Sequence, residues 1–223
     1  MESQLTKTRR RLRTRGTRRH TGEIKINNDA ISAILSPIYE ALPKTVAAGQ
    51  HNLTYGEIEW SSLKFIAEYI AKMSGYSNHK GSFYDLGCGR GRAVLYMALS
   101  GLFEKSVGIE VLPERITLAQ SALVTLKASI PNAGHKIRLY EASFLNTSFK
   151  YKDAQVVFLS NMCFDDQTQT AIFNKLNLEM PKGGLVFCSL VPSILPSAFE
   201  HLGNQESSMT WNPKSELYIL RHL

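Results

Sequence analysis

The stretch Phe83-Tyr84-Asp85-Leu86-Gly87-Cys88-Gly89-Arg90-Gly91 decides how this chain is read. An apolar strand end runs into an acidic residue and then into three glycines at alternate positions. A helix-like run, Arg92 to Leu99, follows directly. Glycines so placed let the backbone turn sharply and approach a ligand where any side chain would block it. The third glycine comes two residues after the second, whereas the dinucleotide-binding fingerprint places it three after.

Lys105 to Glu110 reads as the next strand, and Glu110 ends it 19 residues beyond Gly91. An acidic residue there can accept the ribose hydroxyls of a bound nucleoside. The loop and the strand-end acid together point to a nucleoside-type cofactor site. The competing reading is a glycine-rich surface turn with a solvated Glu110. The tighter glycine spacing resembles the S-adenosylmethionine loop of class I methyltransferases.

Outward from that loop, strands and helices alternate. Ser82–Gly87, Ser106–Glu110, Lys136–Glu141, Ala154–Ser160 and Leu185–Leu190 read as strands. Arg92–Leu99, Pro113–Ser129 and Asp166–Met180 read as helices, the second with proline in its first turn. Such alternation predicts a parallel, doubly wound sheet, which binds ligands beyond the carboxyl ends of its strands. Ser207–Trp211 and Leu217–Leu223, around Asn212-Pro213, predict a closing antiparallel hairpin. Upstream, Asp29 is placed to cap a helix through Ile31, Ile34 and Leu35 that Ser36-Pro37 ends or kinks. Ile58, Leu63, Ile66, Ile70 and Met73 fall at helical spacing, giving an amphipathic helix that ends near Gly75. Tyr55-Gly56-Glu57 before it reads, taken alone, as a turn with a helix-capping acid.

A length of 223 residues and 43% hydrophobic content fit one globular domain with a small appendage. No apolar run is long enough for a membrane span, and no secretory signal is visible. Cys88, Cys163 and Cys188 fit neither a disulfide framework nor a zinc cluster. A reducing compartment and no structural metal are therefore expected. The charge is uneven: residues 1–22 hold eight basic residues against Glu2 alone, a net of +7, while the rest holds 18 of each sign. Residues 1–22 are expected to form a disordered basic arm suited to a polyanion. Nucleic-acid or nucleosomal-DNA binding competes there with a mitochondrial-type presequence and with a solvated tail or nuclear address.

The fourth strand runs straight into Asn161-Met162-Cys163-Phe164. The proline that amino-directed and cytosine-5 nucleic-acid methyltransferases place here is absent, and Cys163 reads as a packed thiol. Over roughly residues 36–223 the chain resembles the disruptor-of-telomeric-silencing family of protein lysine methyltransferases, which modify histone H3 in nucleosomes without a SET domain. The likeness rests on Tyr55-Gly56-Glu57, Asp85-Leu86-Gly87-Cys88-Gly89, Gly108-Ile109-Glu110, Asn161 with Phe164, and Trp211 with Tyr218 in the last hairpin. Ser143-Phe144 sits where the family has an acidic-aromatic pair beside the adenine, with Ser143 in place of the acid. Ser160 replaces the first of two asparagines, and Arg90 and Arg92 are additions within the loop.

The resemblance implies a class I, Rossmann-like α/β fold with a seven-stranded, mostly parallel sheet, a C-terminal antiparallel hairpin and a small N-terminal helical region. It divides the chain into an arm (1–22), a helical region with the Tyr-Gly-Glu loop (23–80) and an S-adenosylmethionine-binding catalytic domain (81–223). It implies that Asp85, Gly87, Gly89, Gly91, Glu110, Ser143 and Phe144 hold the cofactor, with Glu57 and Asn161 at its methionine end. Phe164, Tyr218 and Tyr55, with Asn161, would line a lysine channel. A monomer acting on nucleosomal histone H3 in the nucleus, with DNA held by the arm and no membrane, is the expectation. The alternatives are an RNA or small-molecule methyltransferase, an inactive module of a ribonucleoprotein, and a mitochondrial or bacterial-type cytoplasmic location.

Overall fold

The computed structural model describes residues 27–45, 56–73, 81–210 and 212–223. The arm, Tyr55 and Trp211 lie outside these residues.

Near-continuous apolar runs belong in the middle of a parallel sheet, where both faces are covered. β1 (Ser82–Leu86), β4 (Ala154–Leu159) and β5 (Leu185–Cys188) behave so: β1 and β5 are buried at every position. β2 (Lys105–Glu110) is nearly so, whereas β3 (Ile137–Glu141) is mostly open and forms one edge. The seven-stranded order is β3-β2-β1-β4-β5-β7-β6, with β6 spanning Phe199–Met209 and β7 Asn212–His222. β1 pairs in parallel with both β2 and β4, so the order reverses at β1. β7 runs antiparallel to β5 and β6. The architecture is the α/β sheet with a closing hairpin that the sequence predicts.

The sheet has an apolar core on each face. Phe83, Val156, Phe158 and Phe187 meet α1 (Asn28–Glu40), α2 (Trp60–Lys72), α3 (Arg92–Leu99) and α4 (Pro113–Ser129) on one side. Leu86, Val157, Leu159 and Val186 meet α5 (Asp166–Glu179) on the other. Each large aliphatic or aromatic side chain so buried contributes about 1.5–3 kcal/mol. The two N-terminal helices share the first core with the sheet.

Three local readings need correction. The cap of α1 is Asn27, which accepts from the Asp29 N–H, and the helix runs on through Pro37 to Glu40. Proline removes one helical hydrogen bond, but Ile38 and Tyr39 beyond it are buried and offset the loss. The amphipathic helix starts at Trp60, and Ile58 instead bridges to Met209. The hairpin strands are each 11 residues, far longer than read. The polar midsection of β6 is exposed, and register shifts at His201/Gly203 and Ser207/Met209 break the two-residue period that marks a strand.

Candidate active site

The loop after β1 lies where the strand order reverses. Gly87, Gly89 and Gly91 all have positive φ, +90°, +52° and +77°, a region L side chains rarely adopt. Two of them do different work. A Cβ on Gly87 would come 3.4 Å from the ring tip of Phe164, an ordinary contact, so it is the positive φ that calls for glycine beneath that ring. A Cβ on Gly91 would come 3.2 Å from Ala119 of α4, so this one lets α3 begin against its neighbour. Among the three, Gly87 and Gly89 line the cavity and Gly91 does not.

That cavity encloses about 280 Å³, at the lower edge of the range for small-ligand sites. Its wall brings together Glu57, Asp85, Glu110, Ser143, Phe144 and Phe164 from five separate stretches of chain. Phe144 and Phe164 face each other with ring centroids 5.4 Å apart and planes at 31°.

The three acids differ in what they touch. Glu110 accepts from the N–H groups of Gly89 (2.9 Å), Val111 (2.9 Å) and Leu112 (3.0 Å). A carboxylate has about four acceptor positions, so these bonds leave one for a ligand hydroxyl rather than two. Glu57 is clasped by the two loop arginines: Arg90 reaches it through Nε (3.0 Å) and Nη2 (2.6 Å), and Arg92 through Nη2 (2.8 Å). Arg92 is in turn stacked 4.6 Å from the Trp60 ring and donates to the Ile58 carbonyl. The additions that make this loop unusual therefore bind the Gly56–Glu59 segment to it. Asp85, 3% exposed, has no side-chain partner among the described residues. Burial, and then the nearby Glu110, push its carboxyl well above the usual range. Burial, then Asp85 and Glu110, likewise push the Cys88 thiol up.

Besides Gly91, two residues implied as site groups are absent from the wall. Asn161 is wholly buried, and all four of its hydrogen-bonding positions are used. Its Oδ1 accepts from Ser189 and Leu190 N–H, and its Nδ2 donates to Gln169 Oε1 and the Leu190 carbonyl. It ties the ends of β4 and β5 to α5. Through Gln169, which donates to the Phe164 carbonyl at 3.1 Å, it helps place that ring. Tyr218 pairs with Cys188 at the carboxyl end of β5 and packs, like Phe164, on the α5-side core. Its ring stands 5.8 Å from His201, outside the cavity wall.

Sequence reasoning missed Arg115, Thr168 and Gln169. Arg115 carried a signal: it is buried in the first turn of α4, where the helix dipole disfavours a cation. Thr168 and Gln169 carried none, since their position follows from the angle of α5.

A parallel sheet of this order, with a glycine loop after the central strand and an antiparallel closing strand, is the class I methyltransferase fold. TrmN from Thermus thermophilus superposes with a TM-score of 0.54 at 15% identity, over 71% of this chain and 48% of its own. The N-methyltransferase NodS from Bradyrhizobium japonicum gives 0.50 at 11%, over 71% and 95%. A Listeria monocytogenes protein assigned as an S-adenosylmethionine-dependent methyltransferase gives 0.52 at 10%, over 74% and 100%.

Within that class the chain belongs to the family of the histone methylation protein DOT1, which it matches over residues 40–215. It is 25% identical over 218 residues to a Caenorhabditis elegans histone-lysine N-methyltransferase specific for H3 lysine 79. That match takes in 92% of this chain, which spans about a fifth (22%) of the relative's length.

Proposed function

We propose that this chain transfers a methyl group from S-adenosylmethionine to the ε-amine of a lysine, with nucleosomal histone H3 as the substrate. The observation that carries the reading is the Phe144–Phe164 ring pair closing over Gly87 beside a buried acid-lined cavity, in a chain of the DOT1 family. The donor set suits the cofactor. Gly87 and Gly89 allow close approach, Glu110 offers one acceptor to a ribose hydroxyl, Phe144 offers a face to the adenine, and Asp85 is a buried acid lacking a cation. The cofactor would supply a sulfonium-borne, electrophilic methyl group.

A lysine amine attacks only when neutral, and its free pKa is near 10.4. Apolar walls penalise the ammonium form and favour loss of that proton. Phe164 provides such a wall, and it also helps to hold the amine in line and exclude water. Asn161 and Gln169 act one step back, by fixing the loop that carries Phe164. The basic residues of 1–22 would hold the enzyme on nucleosomal DNA through phosphates, an attachment that weakens steeply with salt.

The test is methyl transfer from tritiated cofactor to nucleosomes, free histones and RNA, with the product mapped by mass spectrometry. Label on a lysine of nucleosomal H3 is the expected result. Label on RNA alone would replace lysine by a nucleic-acid acceptor.

A further inference from the structure

Arg90 and Arg92 follow the second and third glycines of the loop, and both turn back onto one carboxylate, that of Glu57. A single guanidinium would neutralise it. The two reach it differently. Arg92 touches only Oε2, through one nitrogen at 2.8 Å, and divides itself among Glu57, Glu59 and the Ile58 carbonyl. Arg90 grips both oxygens, with Nε on Oε1 at 3.0 Å and Nη2 on Oε2 at 2.6 Å. A planar fork on a carboxylate fixes its orientation as well as its charge. Three donors already fill most of the roughly four acceptor positions of Glu57.

Arg90 is itself buried and stands outside the cavity wall, whereas Gly56, Glu57 and Ile58 are part of that wall. It is held from behind by α1 and the chain just after it. Its Nη1 donates to the Pro43 carbonyl at 3.2 Å, and its backbone carbonyl accepts from the Tyr39 hydroxyl at 3.0 Å. Its guanidinium lies 5.7 Å from the centre of the Tyr39 ring. Burying a guanidinium is costly, and here that cost goes into the shape of the wall.

We propose that Arg90 is a positioning residue for the cofactor site. It reserves the Glu57 carboxylate for the protein and locks the wall segment 56–58 against the glycine loop before a ligand arrives. The inference rests on the proposed cofactor. A preformed wall spares the ligand the cost of ordering it. The helical region ahead of the sheet is thereby a working part of the site, since α1 holds the residue that holds the wall.

Calorimetry of the full chain with S-adenosylhomocysteine, the demethylated product of the cofactor, tests this. It is run well below the melting temperature of each variant, so that lost stability alone leaves the affinity unmoved. Arg90→Gln, in which Arg92 still neutralises Glu57, should weaken binding about tenfold. Arg90→Lys keeps the charge but loses the fork, and should restore affinity only in part. Glu57→Gln should weaken binding to a similar extent. Adding it to Arg90→Gln should cost little more, because the two residues act as one unit. In methyl transfer to the acceptor that the wild type labels, the loss should fall on the cofactor KM rather than on kcat. Wild-type affinity in folded Arg90→Gln overturns the proposal. So does full recovery in Arg90→Lys, which would make charge the only requirement, and so do additive losses in the double variant, which would make Glu57 a direct ligand group. If Arg90→Gln does not fold, Arg90→Lys decides alone: affinity below the wild type supports the fork, and affinity equal to it overturns the proposal. No binding of the nucleoside by the wild type would instead remove the cofactor reading itself.

Discussion

Two aspartates mark the two ends of the sheet. Asp153, just before β4, sits at the amino end. It receives Ser82 Oγ at 2.7 Å, Tyr84 OH at 2.9 Å and Lys105 Nζ at 2.7 Å. Burial pushes its carboxyl up, but hydrogen bonds from Lys105, Ser82 and Tyr84 outweigh it and hold the group below its usual range. Asp85, at the carboxyl end of β1, receives nothing comparable and is pushed the other way. At the amino end the sheet supplies Asp153 with three donors. Among the described residues, Asp85 has no such donors at the carboxyl end, where it lines the cavity.

The contrast breaks most readily at Gly87. A valine there would take a branched side chain into φ +90° and press on Phe164, at a backbone cost of about 1–3 kcal/mol. Binding of S-adenosylhomocysteine should fall at least about 100-fold, a loss near 2.7 kcal/mol, while the melting transition survives. Wild-type affinity in that variant would move the ligand away from the carboxyl end.

Asn161 sharpens the comparison, because it lies at the ligand end yet is satisfied like Asp153. Asn161→Ala should cost about 3 kcal/mol in urea unfolding, since it leaves buried partners unpaired. Unchanged stability with lost cofactor affinity would make Asn161 a ligand group after all.

The two aspartates should also respond to pH in opposite directions. The Asp85 contribution to the ligand-free protein is fully present below the ordinary carboxylate pKa. It is lost as pH rises through the raised folded value, by up to about 1.4 kcal/mol per pH unit. Chemical denaturation from pH 4 to 8 should show that slope in the wild type and its absence in Asp85→Asn. The Asp153 contribution is present above the ordinary pKa and is lost as pH falls through the lowered one. Asp153 is largely exposed, so Asp153→Ala should cost only about 1 kcal/mol, with ligand affinity unchanged in the same calorimetry. A fall in affinity there would mean that the two ends are coupled.

The glycine loop, Glu110 and the helices Arg92–Leu99 and Pro113–Ser129 were legible because local chemistry specifies them: glycines at positive φ, a strand-end charge, an apolar run directly after the loop, and a proline in a helix's first turn. The hairpin was half legible, because a bulged, solvent-facing strand hides its period in polar residues such as Asn204, Gln205 and Glu206. Glu57 and Asn161 were recognised as special, but their partners were not. Arg90 and Arg92 reach Glu57 from more than 30 residues away, and Ser189 and Leu190 reach Asn161 only because β5 lies beside β4. Sequence patterns report which residues are unusual, whereas sheet order decides whom they meet.

One wall of the cavity is stitched across a great length of chain. Glu57 N–H donates to Thr210 Oγ1, the Thr210 N–H donates to the Glu57 carbonyl at 2.8 Å, and Glu59 N–H donates to the Ser208 carbonyl at 2.9 Å. A ribosome lays down Gly56 to Glu59 long before it reaches residue 210. β6, which carries Ser208, reaches the sheet only through β7, so this wall of the cavity is complete only once both hairpin strands are in place. Such distant closure makes folding slow relative to its helices. It also ties the shape of the cavity to the last strand of the chain to be made.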